Sequence, residues 1–310
     1  MSKYELKGKV AVITGAGSGI CHALATRLLE AGASLLVADI HLRPEAEETY
    51  SKYPHPPKQD GLPSALYHET DISNWTAINS LWEKALDTFG RVDIVINGAG
   101  IYEPPSSTFW ELPGVSPLAK DDPDALVGQY KTFGVNTIGP IRLAQLAVDY
   151  WLKNSQIEGN LLWFASVGGY VHSLQTPLYF ASKSAIISVV KSLGALKAKF
   201  GIRNSAICPG LVYTPIFHPD YCKDRVHPDD LTLTPEQCAA VALDILLEPQ
   251  YGDGNIVEAM LVGKRGNATV NVREVPLEAL YPTAGPVGED NHLLEEEQNF
   301  AKKIQEKSGR

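Results

Sequence analysis

Short runs of valine, isoleucine and leucine alternate with helix-length segments along this chain. They begin with Lys9 to Thr14, a helix from about Ile20 to Ala31, then Ser34 to Asp39. That succession reads as a βαβ unit. Further strands are expected at Ala65 to Glu69, Val92 to Asn97, Asn160 to Ala165, Arg203 to Cys208 and Asn255 to Val262, with helical patterns between most of them. The order predicts an α/β fold, a doubly wound parallel sheet with helices on both faces.

The last helix before the final strand has a sharp start at Thr234-Pro235-Glu236-Gln237. Thr caps, Pro takes the first helical position, and Gln stands where a capping box needs it. That helix is expected to run to about Glu248, ahead of Pro249. Two stretches resist the alternation: residues 102–128, rich in proline and aromatics, and the tail from 276 to 310, which ends in a charged helical segment. Neither reads as a separate domain. The expectation is one catalytic domain over 1–275, an inserted loop at about 102–128, and a charged C-terminal tail.

Composition narrows the function. At 310 residues, 44% hydrophobic and 20% charged, the chain can bury a sizeable core. Its 27 basic against 36 acidic residues give a net charge of -9, which disfavours nucleic acid or an anionic membrane as partner and leaves a small molecule. The first nine residues lack the apolar run of a secretion signal, and no stretch reaches the ~18 to 20 apolar residues of a membrane span. A cytoplasmic location is expected. Cys21, Cys208, Cys222 and Cys238 are scattered, with no spacing for a disulfide framework or a metal site.

Chemistry first enters after the opening strand, at Thr14-Gly15-Ala16-Gly17-Ser18-Gly19-Ile20. The glycines permit a tight turn that brings backbone N–H groups to a pyrophosphate at a helix N-terminus. The next strand ends in Asp39, about 20 residues on, where a carboxylate accepts hydrogen bonds from adenosine ribose hydroxyls. Together they predict a Rossmann-like dinucleotide site. A carboxylate there repels a 2′-phosphate, so NAD is favoured over NADP. Arg43 is read as a solvated helix-start residue, although its position keeps NADP open.

A second centre lies in Tyr179-Phe180-Ala181-Ser182-Lys183. Residues four apart share one helix face, so Tyr179 and Lys183 stack a turn apart. Tyrosine titrates near pH ~10, and an adjacent ammonium is expected to pull it towards the working range. Tyr179 then exchanges a proton with a substrate oxygen. Ser166 follows the strand Asn160 to Ala165, so its hydroxyl is expected at the C-terminal edge of the sheet, polarising the same oxygen.

Over roughly residues 6 to 265 the sequence resembles the short-chain dehydrogenase/reductase family. Thr14-Gly15-x-x-x-Gly19, with Ser18 and Ile20, resembles its cofactor loop, and Asp71-Ile72 its adenine-contacting pair. Asn97-Gly98-Ala99-Gly100 is similar to the element beside the cofactor, with Asn97 and Ala99 its matching members. Asn136 matches the asparagine that holds a water in the proton relay. Ser166, Tyr179 and Lys183 match the catalytic serine, tyrosine and lysine, and Pro209 to Thr214, with Val212, match the nicotinamide carboxamide segment. The resemblance implies an NAD-dependent oxidoreductase interconverting a secondary alcohol and a ketone, with Lys183 also holding the nicotinamide ribose. Asp39, Ile207 to Gly210 and Pro177 to Lys183 look most similar to the 15-hydroxyprostaglandin dehydrogenase-like branch.

Two positions depart from that pattern. Cys21 stands at the third glycine of the loop, where a small thiol is expected to pack rather than react. Gly98 replaces the second asparagine of the sheet-supporting element. Loops 102–128, with Tyr102, Phe109 and Trp110, and the segment with Phe217, His218, Tyr221 and Cys222 are expected to shape a hydrophobic or aromatic substrate pocket. A surface insertion packed on its own rings is the alternative for the first. His172 and His218 are read as surface or pocket-lining residues rather than catalytic bases. The helix bearing Tyr179 is expected to continue to Lys199, and its surplus of apolar side chains predicts a homodimer or homotetramer. Two other readings stay open: a same-fold enzyme with a non-redox net reaction, and a non-catalytic NAD-binding scaffold.

Overall fold

The strands pair into one sheet in a computed structural model of the protein, which describes residues 2–227, 230–276, 299–300, 302–304 and 306. They are β1 (Val10–Thr14), β2 (Ser34–Asp39), β3 (Ala65–Glu69), β4 (Ile94–Asn97), β5 (Asn160–Phe164), β6 (Arg203–Pro209), β7 (Asp253–Lys264) and β8 (Asn267–Glu274). The helices are α1 (Gly19–Glu30), α2 (Pro44–Ser51), α3 (Trp75–Phe89), α4 (Lys131–Phe133), α5 (Gly139–Lys153), α6 (Pro177–Ser192), α7 (Leu196–Phe200) and α8 (Pro235–Leu247). Across the sheet the order is β3-β2-β1-β4-β5-β6-β7-β8. The winding therefore reverses between β1 and β4, and the C-terminal ends of those strands open a crevice suited to a ligand.

All five residues of β1 are buried, because helices cover both faces of the sheet. Successive side chains go to opposite layers. Ala11 and Ile13 join Leu24 and Leu28 of α1, Ala46 of α2 and Ile245 of α8. Val12 joins Ile78 of α3, Leu143 of α5 and Ile186 of α6. Strands covered on both faces read as continuous apolar runs, which is why they stood out along the chain. The capping box of α8 is also present: Thr234 Oγ1 accepts from Gln237 N at 3.2 Å, and Thr234 N donates to Gln237 Oε1 at 2.9 Å.

Two features correct the expectations. The first seven strands are parallel, but β7 turns through Arg265-Gly266 into an unforeseen antiparallel β8, paired from Lys264↔Asn267 to Val257↔Glu274. This edge is fastened by Arg273, whose Nε and Nη2 donate to Glu258 at 2.6 and 3.2 Å, while Tyr170 Oη donates to the same carboxylate at 2.7 Å. Secondly, the helix bearing Tyr179 ends at Ser192, and α7 is separate. Gly194 lies so close to the start of β7 that a Cβ on Gly254 would stand 2.9 Å from Gly194 Cα. A continuous helix leaves no room for that approach. Most of the expected tail lies outside the described residues; within it 299, 300, 302–304 and 306 are helical, in line with the expected helical end, and Ile304 packs against the α3, α5 and α6 layer. Among the described residues no helix is long and apolar enough to cross a membrane.

Candidate active site

A cavity of about 480 Å³ lies over the C-terminal ends of β1 to β6. At one end is the glycine loop. Gly15 has φ +73°, and a Cβ there would lie 2.7 Å from Ala99 N, so the turn packs directly on the chain leaving β4. A Cβ on Gly17 would collide with His41 O and come within 2.8 Å of Asp39 Oδ2. Thr14 Oγ1 ties the two turns together, accepting from Gly98 N at 3.0 Å and Ala99 N at 3.2 Å. Ser18 precedes α1 in extended conformation, makes no side-chain cap, and no acidic residue occupies the first turn. Those uncapped N–H groups face the cavity beside Ser18, Gly19 and Ile20, a cradle that fits a pyrophosphate.

Asp39 sits where β2 ends, accepting from Gly17 N at 2.8 Å and from Ile40 N at 2.7 Å. Arg43 stands at the start of α2, as read from the sequence; its N–H donates to Gly17 O at 3.1 Å, and it also lines the same cavity as Asp39. Asp71 and Ile72 line the wall beyond. Burial of Asp71 favours its neutral form, but hydrogen bonds from Ser73 and the Lys131 ammonium at 3.4 Å outweigh it and hold the carboxyl below its usual range. Asn97 is buried beneath the cavity floor and does not line it; both its amide atoms lack partners, while Gly98 and Ala99 form the wall.

The two departures at the cofactor end are a single packing solution. A Cβ on Gly98 would overlap Cys21 Sγ and approach Thr14 O to 2.8 Å. The thiol fills the space that a side chain at 98 would take. Cys21 is 4% exposed, and burial pushes its thiol far above the ordinary range, so it packs rather than reacts.

Ser166, Tyr179 and Lys183 meet on the opposite wall. Ser166 follows β5, and its Oγ accepts from Gly168 N at 3.0 Å, which fixes the hydroxyl oxygen. Lys183 Nζ donates to Phe164 O at 2.8 Å and lies 5.8 Å from the centre of the Tyr179 ring. Burial brings the lysine down to about 8 and pushes the tyrosine up to about 12, with a hydrogen bond to Ser166 pulling the latter the other way. The expected lowering of Tyr179 by Lys183 is therefore not what the geometry gives. The ammonium is engaged with a strand carbonyl, and desolvation dominates the phenol.

Asn136 lies in a π-helical segment, Gly134–Ile138, an irregularity common at functional sites. It is buried and does not line the cavity. Its Oδ1 accepts from Ile101 N at 2.9 Å, and its Nδ2 donates to Ile101 O at 3.0 Å and Ser182 Oγ at 3.1 Å. Its side chain clamps the start of the long loop to the helix of Tyr179 and Lys183. Pro209, Val212 and Thr214 line the roof as expected.

The substrate side divides the aromatic residues. Tyr102, Phe217 and Tyr221 line the cavity, with the Tyr102 ring 4.7 Å from that of Tyr179 and 5.3 Å from that of Phe217. Phe109 and Trp110 are more than half exposed and pack edge to face on each other at 5.1 Å, so the loop is partly pocket wall and partly self-packed surface. His218 lies outside the cavity, stacked near Tyr213, and Cys222 is buried; His172 is exposed. One residue had no motif to reveal it. Glu103 is buried with φ +39° and accepts from Tyr179 N at 2.8 Å.

A family profile described as short chain dehydrogenase matches residues 9–223, which hold every residue of this site. An uncharacterized oxidoreductase of Staphylococcus aureus (strain N315) is 30% identical over 250 residues, 81% of this chain and 96% of its own length. The 3beta-hydroxysteroid dehydrogenase 2 of Eggerthella lenta is 32% identical over 211 residues, 68% of this chain and 74% of its own. Among solved structures, a 3-ketoacyl-(acyl-carrier-protein) reductase from Brucella melitensis complexed with NADH matches with a TM-score of 0.64 at 29% identity, covering 82% of this chain and 98% of that one.

Proposed function

Because the chain belongs to the short-chain dehydrogenase family, we propose that it interconverts a secondary alcohol and a ketone on a hydrophobic or aromatic small molecule, using NAD. The observation that carries this reading is the convergence of Ser166, Tyr179 and Lys183 on one wall of the cavity whose far end holds the glycine loop and Asp39. Gly15, Ser18, Gly19 and Ile20 would receive the pyrophosphate, Asp39 the adenosine ribose, Asp71 and Ile72 the adenine, and Pro209, Val212 and Thr214 the carboxamide. When bound, NAD supplies the hydride acceptor and NADH the donor. The choice of NAD is supported by the Asp39 carboxylate and by the NADH in the Brucella reductase.

Tyr179 handles the proton. Held protonated at neutral pH by its apolar surroundings, it donates to a ketone oxygen in reduction, and it must lose its proton before it serves as base in oxidation. Ser166 holds the same oxygen, and Lys183, whose Nζ is anchored on Phe164 O, would hold the nicotinamide ribose. Tyr102, Phe217 and Tyr221 favour an apolar substrate, and the likeness of residues 177–183 and 207–210 to the 15-hydroxyprostaglandin dehydrogenase-like branch points the same way. The partly exposed Leu178, Phe180 and Val189 of α6 favour a homodimer or homotetramer, measurable by light scattering.

The test is a panel of alcohols and ketones with NAD, NADH, NADP and NADPH, followed by reduced-nicotinamide absorbance, beside Tyr179→Phe. The reading requires turnover of apolar secondary alcohols or ketones that Tyr179→Phe abolishes. NAD binding without turnover across the panel would establish a scaffold instead. Product formed without cofactor consumption would establish a non-redox reaction.

A further inference from the structure

Glu103 is the one non-glycine residue with positive φ among the described residues, at +39°, and it is 4% exposed. Left-handed backbone is disfavoured for a glutamate, and such strain persists only where surrounding contacts enforce it. Its carboxylate accepts three hydrogen bonds. Oε1 accepts from Thr108 Oγ1 at 2.7 Å and from Phe109 N at 3.2 Å, both within the long loop. Oε2 accepts from Tyr179 N at 2.8 Å.

Tyr179 is the third residue of α6, so its N–H is one of the helix donors with no partner inside the helix. Thr176 precedes the helix without making a side-chain cap. A carboxylate from a distant loop does the capping, and it does so at the residue whose phenol lines the cavity. The positive end of the α6 dipole favours a negative charge there. Two neighbours bind the same loop segment to the same helix. Ile101 is clamped by Asn136, which also holds Ser182, and the Tyr102 ring lies against the Tyr179 ring.

We infer that Glu103 is a positioning residue for Tyr179: its carboxylate fixes the backbone from which the phenol projects, and couples that position to the fold of the 102–128 loop. The inference rests on the reading of Tyr179 as the proton-exchanging group. Glu103 lies outside the cavity wall, so its loss acts on alignment and leaves the cofactor end intact. Glutamine is a poor replacement, because its amide presents donors to a site that holds two backbone N–H groups and a hydroxyl.

The test compares Glu103→Gln, Thr108→Val and Tyr179→Phe with wild type. Thr108→Val removes the bonds that Thr108 Oγ1 makes inside the loop, to Glu103 Oε1 and from Trp110 N, and leaves the bond to Tyr179 N. Wild type should show slow exchange at the Tyr179 amide, and Glu103→Gln should speed it ~10- to 100-fold, the value of one hydrogen bond to a charged acceptor. In Glu103→Gln kcat should fall ~10- to 100-fold with KM for NAD within about twofold, as for an interaction that acts on alignment. Thr108→Val should keep kcat within about threefold of wild type. Equal losses of kcat in Glu103→Gln and Thr108→Val would make Glu103 loop glue and overturn the inference. So would unchanged exchange at Tyr179 in Glu103→Gln, a readout that needs no activity. Full activity in Tyr179→Phe would instead overturn the reading of Tyr179 itself and leave the exchange result standing.

Discussion

Substituting Gly98 by alanine probes whether Cys21 and Gly98 share one space. The new Cβ would overlap Cys21 Sγ and stand 2.8 Å from Thr14 O, and the thiol has no free side to retreat to at 4% exposure. Overpacking of a dense core destabilises by ~1–3 kcal/mol, and a backbone oxygen as second obstacle places this case near ~3 kcal/mol. For a domain of this size that lowers Tm by about 6 °C, at about 2 °C per kcal/mol. In a Cys21→Gly background the sulfur is gone and Thr14 O remains, so the same alanine should cost only ~1 kcal/mol, a coupling of ~2 kcal/mol. Urea melts of wild type, both single variants and the double variant, under one buffer, measure the cycle. Effects that add to within ~0.5 kcal/mol would refute the shared-space argument.

Three further outcomes follow from the site. Replacing Asp39 by serine removes the charge that repels a 2′-phosphate and leaves Arg43 on the same wall, so the ratio of NADP to NAD affinity should rise ~100-fold; cofactor titrations check it, and an unchanged ratio counts against Asp39 as the selector. Ser166→Ala should lower kcat ~100-fold while leaving NAD affinity near wild type, measured by steady-state kinetics beside fluorescence titration. Lys183 has its folded pKa brought down to about 8 from 10.5, so below about pH 8 both states carry the proton and the folded state bears the desolvation penalty. Between about 8 and 10.5 the unfolded chain binds more protons, and stability rises with pH by about 3 kcal/mol in total. Denaturant melts across that window should show the rise in wild type relative to Lys183→Met; parallel curves would mean the lysine is not desolvated as the structure places it.

Much of this protein was legible from local rules. Strands β1, β2, β4 and β5 announced themselves as mostly apolar runs buried in the sheet, and α8 announced its start because a capping box uses residues three apart. The glycine loop and Asp39 are bound together by the reach of a single βαβ unit. Glu103 had no such signal, since its partner Tyr179 is 76 residues away and nothing in a proline-rich loop marks one acid among several. A weak signal did exist for β8: a two-residue turn ending in Gly266, then alternation in which Ala268 and Val270 are the half-buried members. Its sparse hydrophobicity, that of an edge strand with little to bury, hid it.

The sequence alone determined the α/β order, the cofactor loop with its acid, and the spacing that puts Tyr179 and Lys183 on one helix face, because each depends on residues within a few turns of chain. Tertiary structure decided what those groups are worth chemically. It placed Lys183 on the Phe164 carbonyl, desolvated the Tyr179 phenol, left the buried Asn97 amide without a partner and turned the Asn136 side chain to the loop. It also joined Cys21 to Gly98, which had looked like two unrelated departures. Charge state and packing depend on what surrounds a group in three dimensions, and one-dimensional spacing carries no record of which distant segments supply those surroundings.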